Sequence, residues 1–304
     1  MTRTSHRSGL LGRSAGTFAT GIEIDSPGRF SPGLVGLARR VLRPLNRVLF
    51  RARLEGLEKL PEQGPFLLVA NHSAGAGLAE IGCFYAEYLA RTRGERPLAG
   101  FALPLGFRLA PMARLLRAGG AIPSTFEAAE ATLKDGVPIL IFPGGDHETL
   151  RPIWQAHKVD FGGRTGFLRI AREHGVPIVP MGIRGSHFTA PMLWRSERLA
   201  HWLILPRLFG LKRWGISVLS VIGVIAIVAL VPLPLLARLA LAWFWLASPL
   251  VFLPWMPWRI RIRIGDPIPP EALFTDSEAE QSDFRATLRQ VETAVQAQIT
   301  GVRS

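Results

Sequence analysis

The chain has 304 residues, 48% of them hydrophobic and 19% charged, and its 36 Lys+Arg outnumber 23 Asp+Glu by 13. This composition excludes disorder over the whole length, and a single cysteine, Cys83, excludes an internal disulfide framework. The basic surplus calls for a polyanionic partner; with so many apolar residues, and six of the eight tryptophans after position 200, it favours a membrane surface over nucleic acid.

Residues 1–30 are rich in Ser, Thr, Gly and Arg without periodicity and are expected to form a disordered leader; they lack the apolar run of a secretory signal. Within them Gly12-Arg13-Ser14-Ala15-Gly16 matches the serine-hydrolase elbow, but no strand precedes it, so the match is accidental. Over 33–51 the pattern turns helical. Leu34, Leu37, Val41, Leu45 and Val48 share one face, with Arg39, Arg40, Arg43, Arg47 and Arg51 on the remaining arc. Arginines without acids on that arc point to a helix lying in an anionic interface.

Short apolar runs at 66–70, 138–142 and 177–181 read as buried strands, and helical patterns begin at Leu78 and run through Phe167, Ile170 and Ala171. Residues 259–264 alternate Arg and Ile, as a final or edge strand does, and Phe284, Leu288, Val291, Val295 and Ile299 mark a C-terminal amphipathic helix. Just before residue 259, 214–258 carries a single charge, Arg238, in 45 residues, with basic flanks on both sides. Its two halves are long enough to cross a bilayer, as a hairpin of two spans or as a re-entrant pair with both flanks cytosolic. The fold class is α/β: one mixed-sheet domain over 31–304, preceded by an amphipathic helix and interrupted by the apolar 214–258 segment.

Two loops carry candidate chemistry. Asn71-His72 follows a buried strand and precedes the glycine-containing stretch to Gly77, which lets a substrate approach; a neutral imidazole there can take a proton from an alcohol. The second loop is Phe142-Pro143-Gly144-Gly145-Asp146-His147-Glu148, whose adjacent Gly144 and Gly145 amides are candidates for an oxyanion site. Asp146, His147 and Glu148 are consecutive and do not converge on one centre, so no metal is expected. Gly75-Ala76-Gly77-Leu78-Ala79-Glu80 fails as a dinucleotide fingerprint because Glu80 stands where a third small residue belongs.

Together the loops resemble the glycerolipid acyltransferase family, which includes the lysophosphatidic acid acyltransferases. Asn71-His72 is similar to its first block, Gly120-Ala121-Ile122-Pro123 to its second, Phe142-Pro143-Gly144-Gly145 to its third and Val176-Pro177-Ile178-Val179-Pro180 to its fourth, in family order. The resemblance implies that His72 is the base that activates a lipid hydroxyl. It also implies an acyl-CoA or acyl-ACP thioester as co-substrate, with no further cofactor, and a glycerolipid acceptor such as lysophosphatidic acid at the cytoplasmic face of a lipid bilayer.

Three positions depart from the family. Gly77 occupies the place of the Asp that orients the histidine; Ser124-Thr125-Phe126 replaces the arginine for an acceptor phosphate; Gly144 replaces the third-block Glu. The Phe-Pro-Gly-Gly form looks like the diacylglycerol acyltransferase branch, so a neutral acceptor, or an inactive homologue, is the alternative. Arg151 and Arg164 remain candidates for a phosphate. Glu148, Asp146 and Glu80 are the candidate partners of His72. Glu148 and Asp146 rank above Glu80, because a helical path from Gly75 would carry Glu80 about 12 Å along the axis from the histidine.

Overall fold

The computed structural model describes residues 26–73, 77–208, 211–274 and 284–301, with the backbone of 16–17 and 23–24. Most of the expected leader lies outside these residues. Its last part, 26–30, is built into the fold: the Gly28 amide donates to the Gly120 carbonyl at 2.8 Å, the Leu98 amide donates to Gly28 at 2.9 Å, and Phe30 packs edge-on against Tyr85.

Strands β1 (Arg53–Glu55), β2 (Leu67–Ala70), β3 (Ala99–Ala102), β4 (Ile122–Pro123), β5 (Ile139–Ile141), β6 (Ile178–Arg184) and β9 (Arg261–Ile264) form one sheet in the order β1-β9-β6-β2-β5-β3-β4. A separate pair is made by β7 (Met192–Ser196) and β8 (Trp214–Ser217). From β6 to β4 the pairings are parallel, whereas β9 runs antiparallel to β6 and parallel to β1. The central β2 is buried at every position, as a strand covered on both faces must be.

A short helix, α3 (Ala110–Ala118), precedes β4, and one face of the sheet is covered by α4 (Phe126–Lys134), α5 (Gly166–His174) and α8 (Arg285–Thr300), the last burying the expected Leu288, Val291, Val295 and Ile299. The other face is covered by α2 (Leu78–Thr92), through Ala79, Cys83, Phe84 and Leu89. The two expectations at the C-terminal end hold: β9 is the last strand of the described residues, one in from the sheet's edge because β1 covers it.

The N-terminal helix α1 is continuous from Pro32–Leu37 through a π-bonded stretch, Ala38–Leu42, to Arg43–Leu49. Its apolar stripe is turned outward: Leu37, Val41, Leu45 and Val48 are all exposed, Val48 by 77%. Its arginines are not all free. Arg43 and Arg47 turn inward onto buried Glu87 at 3.2 and 2.6 Å. Burial alone would raise the Glu87 carboxyl, but the bonds from Arg47 and Arg43 hold it below the usual carboxylate range.

The apolar 214–258 segment does not form two spans. It opens as β8, continues as α6 (Val218–Leu230), turns at Pro232 and Pro234, and returns as α7 (Leu235–Ala247). Each helix has 13 residues, about 20 Å of rise against a hydrocarbon core of about 30 Å. Among the described residues no helix is long and apolar enough to cross a membrane. The base of this hairpin is packed, with Trp214 tilted on Phe252 at 4.5 Å, while Leu230, Leu236 and Phe244 point outward, 78, 82 and 57% exposed.

Candidate active site

The site lies where β2, β5 and β6 end. Asn71 fixes the end of β2 to β6: its amide nitrogen donates to the Ile183 carbonyl at 2.9 Å and its oxygen accepts the Ile183 amide at 2.7 Å. The sequence also offers Asn71 as a candidate substrate-binding residue; buried by this double bond, it instead anchors the backbone that carries His72. The His72 ring stacks on Phe142 of the second loop, with centroids 4.4 Å apart, so the two loops do face one another.

The carboxylate on the ring is Glu80. Its Oε1 contacts His72 Nδ1 and accepts the Ser73 amide at 2.8 Å, and its Oε2 accepts the hydroxyls of Ser73 and Ser186 at 2.5 and 2.8 Å. The two hydroxyls also contact each other. This reverses the expected ranking. Gly77 is in the left-handed region, φ 68°, and α2 starts only at Leu78, so hardly any helical rise separates Glu80 from the histidine. Ser73 and Ser186 carry no spacing signal in the sequence, and nothing there pointed to them.

Glu148 reaches His72 too, but at the backbone. Its Oε2 accepts the His72 amide at 2.8 Å, and its Oε1 accepts the Asp160 amide at 3.1 Å and Arg151 Nη2 at 3.4 Å. Complete burial pushes the Glu148 carboxyl up to about 8, against the lowering by the His72 and Asp160 amides and Arg151. Asp146 is further removed: it pairs with Arg164, and Arg213 lies 3.6 Å from its other oxygen.

The pair of free amides expected at Gly144 and Gly145 does not form, because the Gly145 amide donates to the Phe142 carbonyl at 3.2 Å. Gly144 has a different use. A Cβ there would overlap the Glu148 carboxyl group, so the acid fills space that a glycine four residues earlier leaves open.

Both candidate phosphate ligands are already engaged. Arg151 is buried between Glu148 and the Asp160 carbonyl, and Arg164 donates to the carbonyls of Pro143 and Gly144 at 3.2 and 2.5 Å besides pairing with Asp146. Beside Phe142 a cavity of about 230 Å³ is lined by Ser124, Thr125, Phe126, Phe101 and Phe167, with Arg164 at its margin. Among the described residues no group of three His, Cys, Asp or Glu side chains is arranged to hold a metal.

Residues 51–184, which contain both loops and the strands that carry them, match the acyltransferase family model. Over those residues the chain is similar to acyltransferases. An uncharacterized protein of Mycobacterium tuberculosis is 31% identical over 264 residues, covering 84% of this chain and 64% of the relative, so the chain spans somewhat under two thirds of that protein. The DGAT1/2-independent enzyme synthesizing storage lipids of Bos taurus is 31% identical over 156 residues, 49% of this chain and 45% of that protein. Chloroplastic phytyl ester synthase 2 of Arabidopsis thaliana is 28% identical over 142 residues, 44% of this chain and 19% of that one. Among solved structures, the lysophosphatidic acid acyltransferase PlsC of Thermotoga maritima aligns with a TM-score of 0.48 and 19% identity, over 86% of this chain and 78% of that one. The matched residues include His72, Glu80 and Glu148, and the match ends at Arg184, two residues before Ser186.

Proposed function

We propose that the protein is an O-acyltransferase that moves an acyl group from a thioester to the hydroxyl of a neutral lipid. The observation that carries the acceptor class is the pairing of Arg151 and Arg164 with Glu148 and Asp146, beside a cavity that is mainly apolar. Arg151, which is buried, and Arg164, which is half-buried, are already bonded to acid side chains and carbonyls and have little left for an acceptor phosphate. Relatives named for storage-lipid and phytyl ester synthesis support the same reading.

In this mechanism Glu80 holds His72 through Nδ1, which keeps the proton there and leaves Nε2 as base. Nε2 takes the acceptor hydroxyl proton while the oxygen attacks the thioester carbonyl. The tetrahedral intermediate collapses, the C–S bond breaks, and the proton passes to the departing thiolate.

The outward-facing stripe of α1 and the exposed residues of the α6–α7 hairpin support attachment to a bilayer from one side, without a span.

The test is purified protein with labelled acyl-CoA and a panel containing diacylglycerol, a long-chain alcohol and lysophosphatidic acid. The expected product is a neutral ester, abolished by His72→Ala. Preferential acylation of lysophosphatidic acid would overturn the acceptor class, and no transfer to any acceptor would overturn the activity.

A further inference from the structure

A groove of about 590 Å³ opens at the same end of the sheet as His72, and four of its lining residues are Arg51, Arg184, Arg259 and Arg261. Strand register gathers the charges. Arg184 of β6 pairs with Arg261 of β9, which pairs with Arg53 of β1. Directly paired residues share a sheet face about 5 Å apart, so like charges there repel. Burial, then the charges of Arg53 and Arg259, hold the Arg261 guanidinium below its ordinary range. Gly185, at φ 94°, lets the neighbouring turn close on this end, since a Cβ there would overlap the Arg259 carbonyl oxygen. No acid lines the groove among the described residues, and none of its four arginines forms an ion pair there. Relief is partial: Arg184 donates to the Ile299 carbonyl, Arg261 donates to the Arg51 carbonyl, and Glu55 lines the adjoining cleft. Cations held together by regular strands are a cost that a bound anion offsets.

The apolar part of the lining decides what kind of anion fits. Val48 and Leu49, the last residues of α1, line the groove, and Val48 is 77% exposed. Pro257 and Trp258, where the chain returns from the α6–α7 hairpin to β9, line it as well. The groove therefore lies between the two elements whose apolar side chains face outward. A free anion would leave these side chains in water, whereas an amphiphile with an anionic head would cover them. Trp255 and Trp258 are exposed here, and tryptophan is enriched at the headgroup level of bilayers. On α1 itself Arg43 and Arg47 are bonded to Glu87, so among the described residues the larger set of guanidiniums without a carboxylate is in the groove rather than along the helix. The groove shares no lining residue with the cavity beside Phe142. The turn that supplies Gly185 and Phe188 to it also supplies Ser186 to Glu80, and so stands between the groove and the catalytic carboxylate.

We propose that this groove docks the phosphodiester headgroup of an anionic bilayer phospholipid of the phosphatidylglycerol type, with the lipid's chains beside Val48 and Leu49. The lipid is a bystander to transfer, neither acyl donor nor acceptor. It fixes which membranes the protein adheres to and turns the His72 end of the sheet toward them. Guanidinium forks suit the paired oxygens of a phosphate, and a zwitterionic head would bring its own ammonium against four like charges. The inference rests on one-sided attachment to a bilayer and names the lipid class which that attachment selects.

Co-sedimentation of the full chain with phosphatidylcholine vesicles, with and without phosphatidylglycerol, reads the selectivity. Phosphatidylglycerol should raise binding about tenfold or more, and Arg259→Gln with Arg261→Gln should remove most of that gain, since each arginine near an anionic surface is worth about fivefold. Arg259→Gln alone, at an exposed position, should remove part of it with the thermal midpoint unchanged. Arg39→Gln with Arg40→Gln, an equal loss of charge at exposed positions of α1, should remove less. Equal losses in the two pairs would make the attraction diffuse and overturn the groove. Calorimetry with monomeric dihexanoyl phosphatidylglycerol, dihexanoyl phosphatidylcholine and pyrophosphate reads the site without a bilayer, and phosphatidylglycerol should bind most tightly. Equally tight pyrophosphate, or no preference between the two lipids, overturns the proposal. So does acylation of the added phosphatidylglycerol, which would make it an acceptor. Binding of the short-chain phosphatidylglycerol by a protein that adheres to no vesicle would leave the groove standing and remove the attachment.

Discussion

Gly77 and His72 exclude any side chain between them: a Cβ on Gly77 would overlap His72 Cε1 and lie 3.0 Å from Nδ1. The position that carries the orienting acid in the family is here occupied by the imidazole's own edge. Glu80 supplies the carboxylate from the first turn of α2 instead. The second loop repeats the exchange, with Gly144 vacated and Glu148 in the space.

Restoring the family residue should therefore inactivate the protein. Gly77→Asp must displace the ring and strain a backbone at φ 68°. Activity should fall by about 10²–10⁴, the loss expected for a misplaced general base. Gly77→Ala should behave similarly, with circular dichroism unchanged in both. A Gly77→Asp variant with normal turnover would mean that the loop moves aside and that Glu80 is dispensable.

The Glu80 network orders the effects of its members. Glu80→Gln should lower kcat by about 10² or more with little change in KM, because it removes the charge that stabilises a protonated ring and turns an amide toward a donor. Ser186→Ala removes one of the donors to the carboxylate and should cost about tenfold. Asp146→Ala should retain most activity. Steady-state kinetics on the set would disprove the assignment if Asp146→Ala fell as low as His72→Ala while Glu80→Gln did not.

Glu148 and His187 give stability a plateau in pH. With Glu148 raised from 4.5 to about 8, the folded chain holds a proton that the unfolded chain releases, so this contribution is full below 4.5 and is lost as pH rises to about 8. His187 is pushed from 6.5 down to about 3, first by burial and then by the Arg151 charge; its contribution is full above 6.5 and is lost as pH falls toward 3. The two slopes oppose each other between 4.5 and 6.5. Denaturant midpoints should be flat there and decline above it. Glu148→Gln should flatten the alkaline decline at some general loss, since one amide N–H must face a backbone N–H. An unchanged alkaline slope in that variant would show that Glu148 is not its source.

The outward residues of the hairpin should matter for attachment and not for folding. Leu230→Gln with Leu236→Gln changes side chains that are 78 and 82% exposed. Stability should move by no more than about 0.5 kcal/mol per site, as surface substitutions generally do. Co-sedimentation with liposomes should drop clearly. A large fall in thermal midpoint would mean that this face is covered by protein instead.

The sequence by itself was enough for the alternation of strands and helices, the two facing loops and the histidine between them. Those features rest on local chemistry: apolar runs of strand length, period-four stripes, and turn residues at strand ends. Hydropathy also found the 214–258 segment, but not its shape. Length of apolar sequence is a property of the chain, whereas helix length depends on where Pro232, Pro234 and the pairing of β8 with β7 interrupt it.

Only the tertiary structure decided which acid serves His72. Rise along an ideal helix separates Glu80 from the histidine, yet one left-handed glycine delays the helix and folds the carboxylate back. Likewise Arg43, Arg47, Arg151 and Arg164 are indistinguishable in sequence from Arg184, Arg259 and Arg261, which form no ion pair among the described residues. Their partners lie from 3 to 44 residues away, and the row of Arg53, Arg261 and Arg184 is assembled from strands more than 200 residues apart at its extremes. A charge's function depends on what neutralises it, and that is fixed by packing across the sheet rather than by neighbours along the chain.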